Sequence, residues 1–205
     1  MNIPSISYAV TTHNEGERVL KLIDTLLLHK SHTDEVVVLD DYSTDPITKL
    51  AIKKATRLYM RKFENDFAEH KNYLNGKCRG DYIVQFDGDE LPTKNLLKII
   101  PQLVSSWPET DLFWIPRENK LYDIDMELIR KWNWNVDELN RINYPDYQGR
   151  IYKNQQDIKW TRPLHELITG HKTQRVLRHS SGVDILHHRH MEEQIKHNSY
   201  YDENF

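Results

Sequence analysis

The chain has a single cysteine, Cys78, in 205 residues, which excludes an internal disulfide framework and points to a reducing compartment. No apolar run approaches the ~20 residues that a membrane helix needs, so no integral membrane segment is expected. The opening Met1-Asn2-Ile3-Pro4-Ser5 has neither a basic region nor a cleavage site, and a cytoplasmic protein is the expectation. Charge of neither sign dominates: the formal net charge of −3 gives no global pull toward nucleic acid or anionic lipid. Internal repeats and low-complexity stretches are absent. What is present suits one folded domain with a large core: 38% hydrophobic residues, with five Trp, eleven Tyr and five Phe, is too aromatic for a disordered segment. One basic stretch stands out, with nine Lys and Arg between Lys49 and Arg79 against Glu64, Asp66 and Glu69. A solvated helix face or a polyanion contact would each account for it.

The first half alternates strand and helix patterns. Residues 6–10 read as a strand ending at Thr11-Thr12-His13-Asn14, with Asn14 and Glu17 spaced as a capping box before a helix whose apolar face holds Val19, Leu20, Ile23, Leu26 and Leu27. Residues 35–39 form an unbroken apolar run, which predicts a strand buried on both faces, followed at once by Asp40 and Asp41. Asp45-Pro46 and Asp66 with Glu69 predict two further helix starts. Another strand is expected over residues 82–86, a helix after Thr93 and a strand over residues 111–116, after which the periodicity loosens. This order predicts an α/β layered domain with a mainly parallel sheet, in which ligands bind at the carboxyl ends of the strands. Three separate segments, residues 11–15, 40–41 and 87–90, put acidic and polar groups on that edge.

Asp87-Gly88-Asp89 places two carboxylates two residues apart after a buried strand, with glycine expected to ease the turn. Oxygen ligands of this kind suit Mg²⁺ or Mn²⁺, which would bridge the phosphates of a nucleotide.

In register over most of its length, the chain resembles the family 2 glycosyltransferases of GT-A fold. Thr11-Thr12-His13-Asn14-Glu15 resembles the motif that holds the nucleotide, and Val38-Leu39-Asp40-Asp41 the one whose acid reads the base. His70-Lys71-Asn72 lies where an Arg-Asn pair is usual, and Phe86-Asp87-Gly88-Asp89-Glu90 is similar to the DxD motif. Later, Gly149-Arg150-Ile151-Tyr152, Pro163-Leu164-His165-Glu166 and Asp184-Ile185-Leu186-His187-His188 resemble small bacterial transferases of the lipopolysaccharide-core type. Lys71 departs from the usual arginine and offers a point charge in place of a bidentate fork.

The resemblance implies a Rossmann-like α/β/α domain spanning 1–205, with residues 1–120 binding a nucleotide-sugar and 121–205 forming a looser acceptor-binding and catalytic half. It implies an inverting, metal-dependent transfer from a nucleotide-diphosphate sugar, UDP favoured over GDP or dTDP. The acceptor is a glycan or another hydroxyl-bearing molecule, down to a modified base in DNA. Thr11, His13, Asn14, Glu15, Asp40, Asp41, Lys71 and Asp87 would contact the donor nucleotide. Asp87, Asp89 and either His187 or His188 would hold Mn²⁺ or Mg²⁺, and Arg150 and His165 would touch acceptor or donor sugar. Inverting transfer needs a base for the acceptor hydroxyl; Glu166 is the first candidate, then Glu90, then Asp146, while a salt bridge to Arg162 or Arg150 would make Glu166 structural. His179 and His197 are expected on the surface. Paired acids with Mg²⁺ also fit a nucleotidyltransferase, although no glycine-rich basic loop follows the first strand. An inactive nucleotide-sugar-binding module fits the same residues. A dehalogenase-type phosphatase fits poorly, since its acid pair lies near the N-terminus and is followed by Thr or Val where Glu90-Leu91 follows here. A zinc hydrolase fits poorly, since His187, His188 and His190 are too bunched for catalytic zinc spacing.

Overall fold

The computed structural model describes residues 3–179 and 182–204; Met1 and Asn2, part of the opening stretch read above, lie outside it. Its frame is a nine-stranded sheet in the order β3-β2-β1-β4-β7-β6-β11-β5, with β10 also against β6. Four strands form the parallel half: β1 (Ile6–Thr12), β2 (Glu35–Asp40), β3 (Arg57–Met60) and β4 (Tyr82–Asp87). Then β7 (Arg141–Lys153) runs antiparallel to both β4 and β6 (Leu112–Tyr122). Both β10 (Gln174–Val176) and β11 (Ile185–His190) lie parallel to β6, and the short β5 (Glu90–Pro92) closes the edge antiparallel to β11. The sheet is mixed but mainly parallel, as expected.

Side chains alternate across it with the two-residue strand period. Ile6, Tyr8, Val10, Val36 and Val38 enter one core with helices α1 (Glu17–His29), α2 (Pro46–Ile52) and α4 (Lys94–Ser106). Ala9, Val37 and Leu39 enter the other, under α3 (Phe67–Asn75) and the hairpin of β8 (Lys159–Thr161) and β9 (Leu167–Thr169). The apolar run of β2 therefore meets a core on each face. A small third cluster of Leu121, Ile129, Ile142 and Met191 joins α5 (Met126–Lys131) to β6, β7 and the first turn of α6 (Met191–Asn204).

Local signals hold where they are chemically complete. Asp45 accepts from Thr48 N at 2.6 Å with Pro46 in the first turn, Asp66 accepts from Glu69 N at 2.8 Å, and Thr93 accepts from Leu96 N at 3.2 Å. The Asn14 capping box does not form. The cap position of α1 is Gly16, without a side-chain bond, and Asn14 has φ of 56°. Its Oδ1 instead accepts from Thr44 N at 2.7 Å and Asp45 N at 2.9 Å, tying the loop after β1 to the loop after β2.

The basic stretch is neither a single helix face nor an open cationic surface. It contains β3, and much of its charge is paired: Lys54 with Asp24, Arg57 with Glu35, Arg61 with Glu69 and Lys71 with Asp87 and Glu166, while Lys77 lies over Tyr73.

Asp111, just before β6, fastens that strand to the segment entering β10. Its carboxylate accepts from Lys172 N at 2.8 Å, Thr173 N at 3.1 Å and Lys153 Nζ at 3.0 Å. Burial pushes its pKa up, but these donors outweigh it and bring the group down to about 2. Because the folded pKa lies below the unfolded one, the stabilisation is complete above the unfolded value and is lost as pH falls through about 2. Asp111→Asn should cost about 2 kcal/mol in urea unfolding at pH 6, with the difference shrinking toward pH 2. An equal gap at both pH values would show that the charge contributes nothing.

Candidate active site

The parallel register brings the expected segments together. Thr11 is aligned with Asp87 across β1 and β4, and Thr12 with Asp40 across β1 and β2, so all three segments end on one edge. Gly88 is required by close approach, not by the turn's backbone angles: a Cβ there would lie 2.7 Å from Thr12 Oγ1 and 3.0 Å from Glu15 Cγ.

Asp87 is saturated by the chain itself. Thr11 Oγ1 donates to its Oδ1 at 3.0 Å, Lys71 Nζ lies 3.1 Å away and Arg150 donates to Oδ2 at 3.0 Å. Burial pushes the Asp87 carboxyl up, but Lys71 and Arg150 more than offset this and hold it far below the usual range. Beneath it, Glu90 is fully buried, accepts from Asp87 N at 3.0 Å and receives Arg150 at 2.5 Å and Arg117 at 3.1 Å. A buried carboxylate with two guanidinium partners does not reach an acceptor, so Glu90 is an anchor for Asp87 and Arg150, against its expected place as second candidate base. Arg150 is likewise buried, 2% exposed, and reaches carboxylates in place of the sugar expected of it.

Asp89 faces β11. His187 Nε2 lies 3.1 Å from Asp89 Oδ2, and Arg189, two residues on and on the same strand face, donates to the same oxygen. His188 points the other way, its Nε2 2.9 Å from Glu118. Strand alternation therefore puts His187 beside Asp89 and His188 beside Glu118. Burial pushes the Asp89 carboxyl up, yet His187 and Arg189 bring it well below its ordinary value. Glu15 is the opposite case: burial first, then the Asp89 charge, push it up to about 7.

The β8–β9 hairpin delivers Glu166. Asn72 clamps β8 to α3, its Nδ2 donating to Trp160 O at 2.8 Å and its Oδ1 accepting from Trp160 N at 2.9 Å. The neighbouring Lys71, almost fully buried over the Trp160 ring, donates to Glu166 Oε1 at 2.5 Å. Thus the partner of Glu166 is Lys71, neither Arg162 nor Arg150, and Lys71 meets two carboxylates where a phosphate contact was expected. Burial pushes the Glu166 carboxyl up, and the Lys71 charge outweighs that and keeps it below its usual value. Arg162 and His165 flank the hairpin tip at φ of 74° and 52°, values that side chains beyond Gly and Asn rarely adopt and that mark a constrained loop. His165 itself is exposed.

On the opposite flank, Asp40 is fully buried and accepts from Ser43 N at 2.8 Å, so it shapes the loop, while Asp41 remains at the rim beside the exposed His13, whose Nδ1 lies 2.6 Å from Asp41 O. Asp41 Oδ1 accepts from Phe63 N at 3.0 Å, and its Oδ2 lies 3.6 Å from His13 Nδ1.

Several participants escaped the sequence reading. Arg189 sits between His188 and His190 and is visible only through strand alternation. Arg117 and Asn119 lie in the part of β6 beyond the expected strand and reach Asp146, at 2.7 Å and 2.8 Å. Helix α6 roofs the edge, with Arg18 on Glu193 at 2.5 Å and Tyr200 Oη donating to Asn65 at 3.1 Å. His197, expected on the surface, is half-buried there; burial and the Arg189 charge bring it down to about 4.

Among the described residues no three His, Cys, Asp or Glu side chains form a ready-made metal cage. Among the same residues no helix is long and apolar enough to cross a membrane.

Comparison with known proteins agrees with this architecture. Residues 7–108 match the family described as glycosyl transferase family 2. An uncharacterized glycosyltransferase of Rickettsia conorii is 30% identical over 101 residues, covering 49% of this chain and 34% of that protein. A TPR repeat-containing protein of Synechococcus elongatus is 24% identical over 165 residues, 80% of this chain and 35% of that protein. The chain thus spans about a third of the length of these curated relatives. The crystal structure of S. aureus TarS 1-349 in complex with UDP-GlcNAc superposes with a TM-score of 0.60 at 18% identity, over 90% of this chain and 58% of that one. At that identity the likeness shows the fold, which is of GT-A type.

Proposed function

Because the chain belongs to glycosyl transferase family 2, we propose that it moves a sugar from a nucleotide-diphosphate donor, most simply a UDP-sugar, to an acceptor hydroxyl with inversion and with a divalent ion. The observation that carries this reading is the carboxyl edge itself, where Asp89 faces His187 and the adjoining Asp87 is linked through Lys71 to Glu166. The UDP-GlcNAc in the TarS complex supports the choice of donor.

The residues fit such an ion. Mg²⁺ and Mn²⁺ take ligands at about 2.0–2.1 Å in an octahedron, so neighbouring donor atoms lie about 3 Å apart, and these ions use one or two protein carboxylates with substrate phosphates. The 3.1 Å between Asp89 Oδ2 and His187 Nε2 matches that spacing, and the imidazole favours Mn²⁺ over Mg²⁺. Asp89 and His187 would hold the ion, which supplies charge for the departing diphosphate. Asp87, already saturated by Thr11, Lys71 and Arg150, acts by fixing the turn that aims Asp89. Arg189, now on Asp89, is a cation at the same edge that would meet the phosphates.

The remaining work is done by the chain alone. Asp41 and His13 form the rim that would meet the base and ribose, with Asn14 holding their loops together. Glu166, kept ionised by Lys71, is in the right form to take the proton of the acceptor hydroxyl. Inversion would follow from a single displacement, in which the acceptor oxygen bonds the anomeric carbon as its bond to the diphosphate breaks on the opposite side, with Glu166 taking the hydroxyl proton.

A thermal-shift screen tests the donor site. Nucleoside diphosphate at a hundredfold its Kd stabilises by about 2.7 kcal/mol. For a chain of this size that raises the melting temperature by about 5–10 °C. UDP and UDP-sugars with Mn²⁺ should do so, and less without it; no shift with any nucleoside diphosphate, with or without Mn²⁺, would rule the site out.

A further inference from the structure

We propose that Asn119, itself oriented by Asp146, is a positioning residue that holds the His187 ring with its proton on Nδ1 and with Nε2 turned to Asp89. On β6 and β11, Asn119 and His187 are register partners, side by side on neighbouring strands. Asn119 Nδ2 lies 2.8 Å from Asp146 Oδ2, and Asn119 Oδ1 lies 2.7 Å from His187 Nδ1. An amide can be turned either way, and here its neighbours decide. Asp146 is bound by the Arg117 guanidinium at 2.7 Å and 3.0 Å and by Gln148 Nε2 at 2.8 Å, so it acts as an acceptor and draws the NH₂ end of Asn119. That leaves the carbonyl end toward His187, and a carbonyl only accepts. The proton on Nδ1 follows, and Nε2, which faces the Asp89 carboxylate at 3.1 Å, is the nitrogen whose proton a cation beside Asp89 would replace.

Arg117 is in turn fixed by the buried Glu90. The orientation of the ring therefore descends from the sheet interior through Glu90, Arg117, Asp146 and Asn119. A hydrogen bond of this kind on the far nitrogen of a metal-binding imidazole fixes both tautomer and ring angle. It also gives Asp146 a role distinct from that of a base. The ring orientation stands by itself, whereas its consequence for metal affinity rests on the divalent-ion reading above.

The test uses the full chain labelled with ¹⁵N-histidine, with the His187 ring assigned by its loss in His187→Gln. Long-range ¹H–¹⁵N spectra of the metal-free protein should show Nδ1 of the protonated type throughout the pH range in which the fold persists. In Asn119→Leu, and partly in Asp146→Asn where the amide is free to turn over, Nδ1 should acquire unprotonated character. Mn²⁺ affinity, read from the free-ion electron paramagnetic resonance signal, should fall about 10–100-fold in Asn119→Leu. An unprotonated Nδ1 in the wild type overturns the proposal, as does Asn119→Leu with both readouts unchanged. A protonated Nδ1 in a wild type that binds no Mn²⁺ supports the positioning role and removes the divalent-ion reading instead. Should Asn119→Leu fail to fold, the wild-type spectrum alone decides.

Discussion

Asp89→Asn should lower turnover of a UDP-sugar by about 10³-fold or more, a loss of about 4 kcal/mol of transition-state stabilisation. The substitution keeps the shape of the side chain but removes the charge on which His187 and Arg189 converge. Asparagine is also the safer variant structurally. Both variants remove the charge opposite Arg189, whose side chain is 12% exposed, but asparagine keeps an oxygen to accept its hydrogen bond and alanine leaves it none. The Mn²⁺-dependent part of the thermal shift by UDP should vanish with the activity, while any metal-independent part carried by the Asp41 rim remains. Asp87→Asn is expected to behave differently. Asp87 meets three donors of the chain, so its loss should show first as reduced stability and a displaced Lys71. If Asp89→Asn retained turnover within tenfold of wild type, Arg189 would be the cation that serves the diphosphate, and a divalent ion would not be needed.

The parts of the fold legible in the sequence are those whose signal is local. The apolar run before Asp40, the Asp45-Pro46 start and the Thr93 cap each contain their own physical cause within a few residues. β3 is hidden because a four-residue edge strand alternates half-buried and exposed positions, and in Arg57-Leu58-Tyr59-Met60 this looks like part of a charged stretch. The far part of β6, beyond the strand expected over residues 111–116, and most of β7 are hidden for a related reason. Their far ends carry Arg117, Asn119, Asp146 and Gln148, polar because they support the site, so the apolar alternation that identifies a strand is broken where function intrudes. Asn14 shows a local signal overruled: its capping pattern is intact, but the loop of β2 offers it two backbone donors and holds it in the left-handed region. The acids were legible because they follow apolar strands directly. Their partners were not: Arg189 meets Asp89 across 100 positions and Lys71 meets Glu166 across 95, distances at which only the assembled sheet decides who faces whom.

Glu166→Gln should lower turnover by about 10²–10⁴-fold, the usual span for removing a general base, while UDP binding stays within about twofold. The split follows from position: Glu166 arrives on the β8–β9 hairpin and is joined to Asp87 through Lys71. A drop in turnover could also come from Lys71 reorienting when it loses one of its two carboxylates, so a second measurement is needed. Burial raises the Glu166 pKa and Lys71 lowers it, with Lys71 dominant. Removing that charge in Lys71→Met lets burial prevail, the carboxyl pKa rises, and the acid limb of the kcat/KM profile must move to higher pH. Asp146→Asn, which acts on Asn119 and Arg117, should leave that limb where it is. If Lys71→Met left the acid limb unmoved and Glu166→Gln cost less than about tenfold, the proton would be taken elsewhere. Asp146, with a side chain 26% exposed, is then the carboxylate of the set with access to an acceptor.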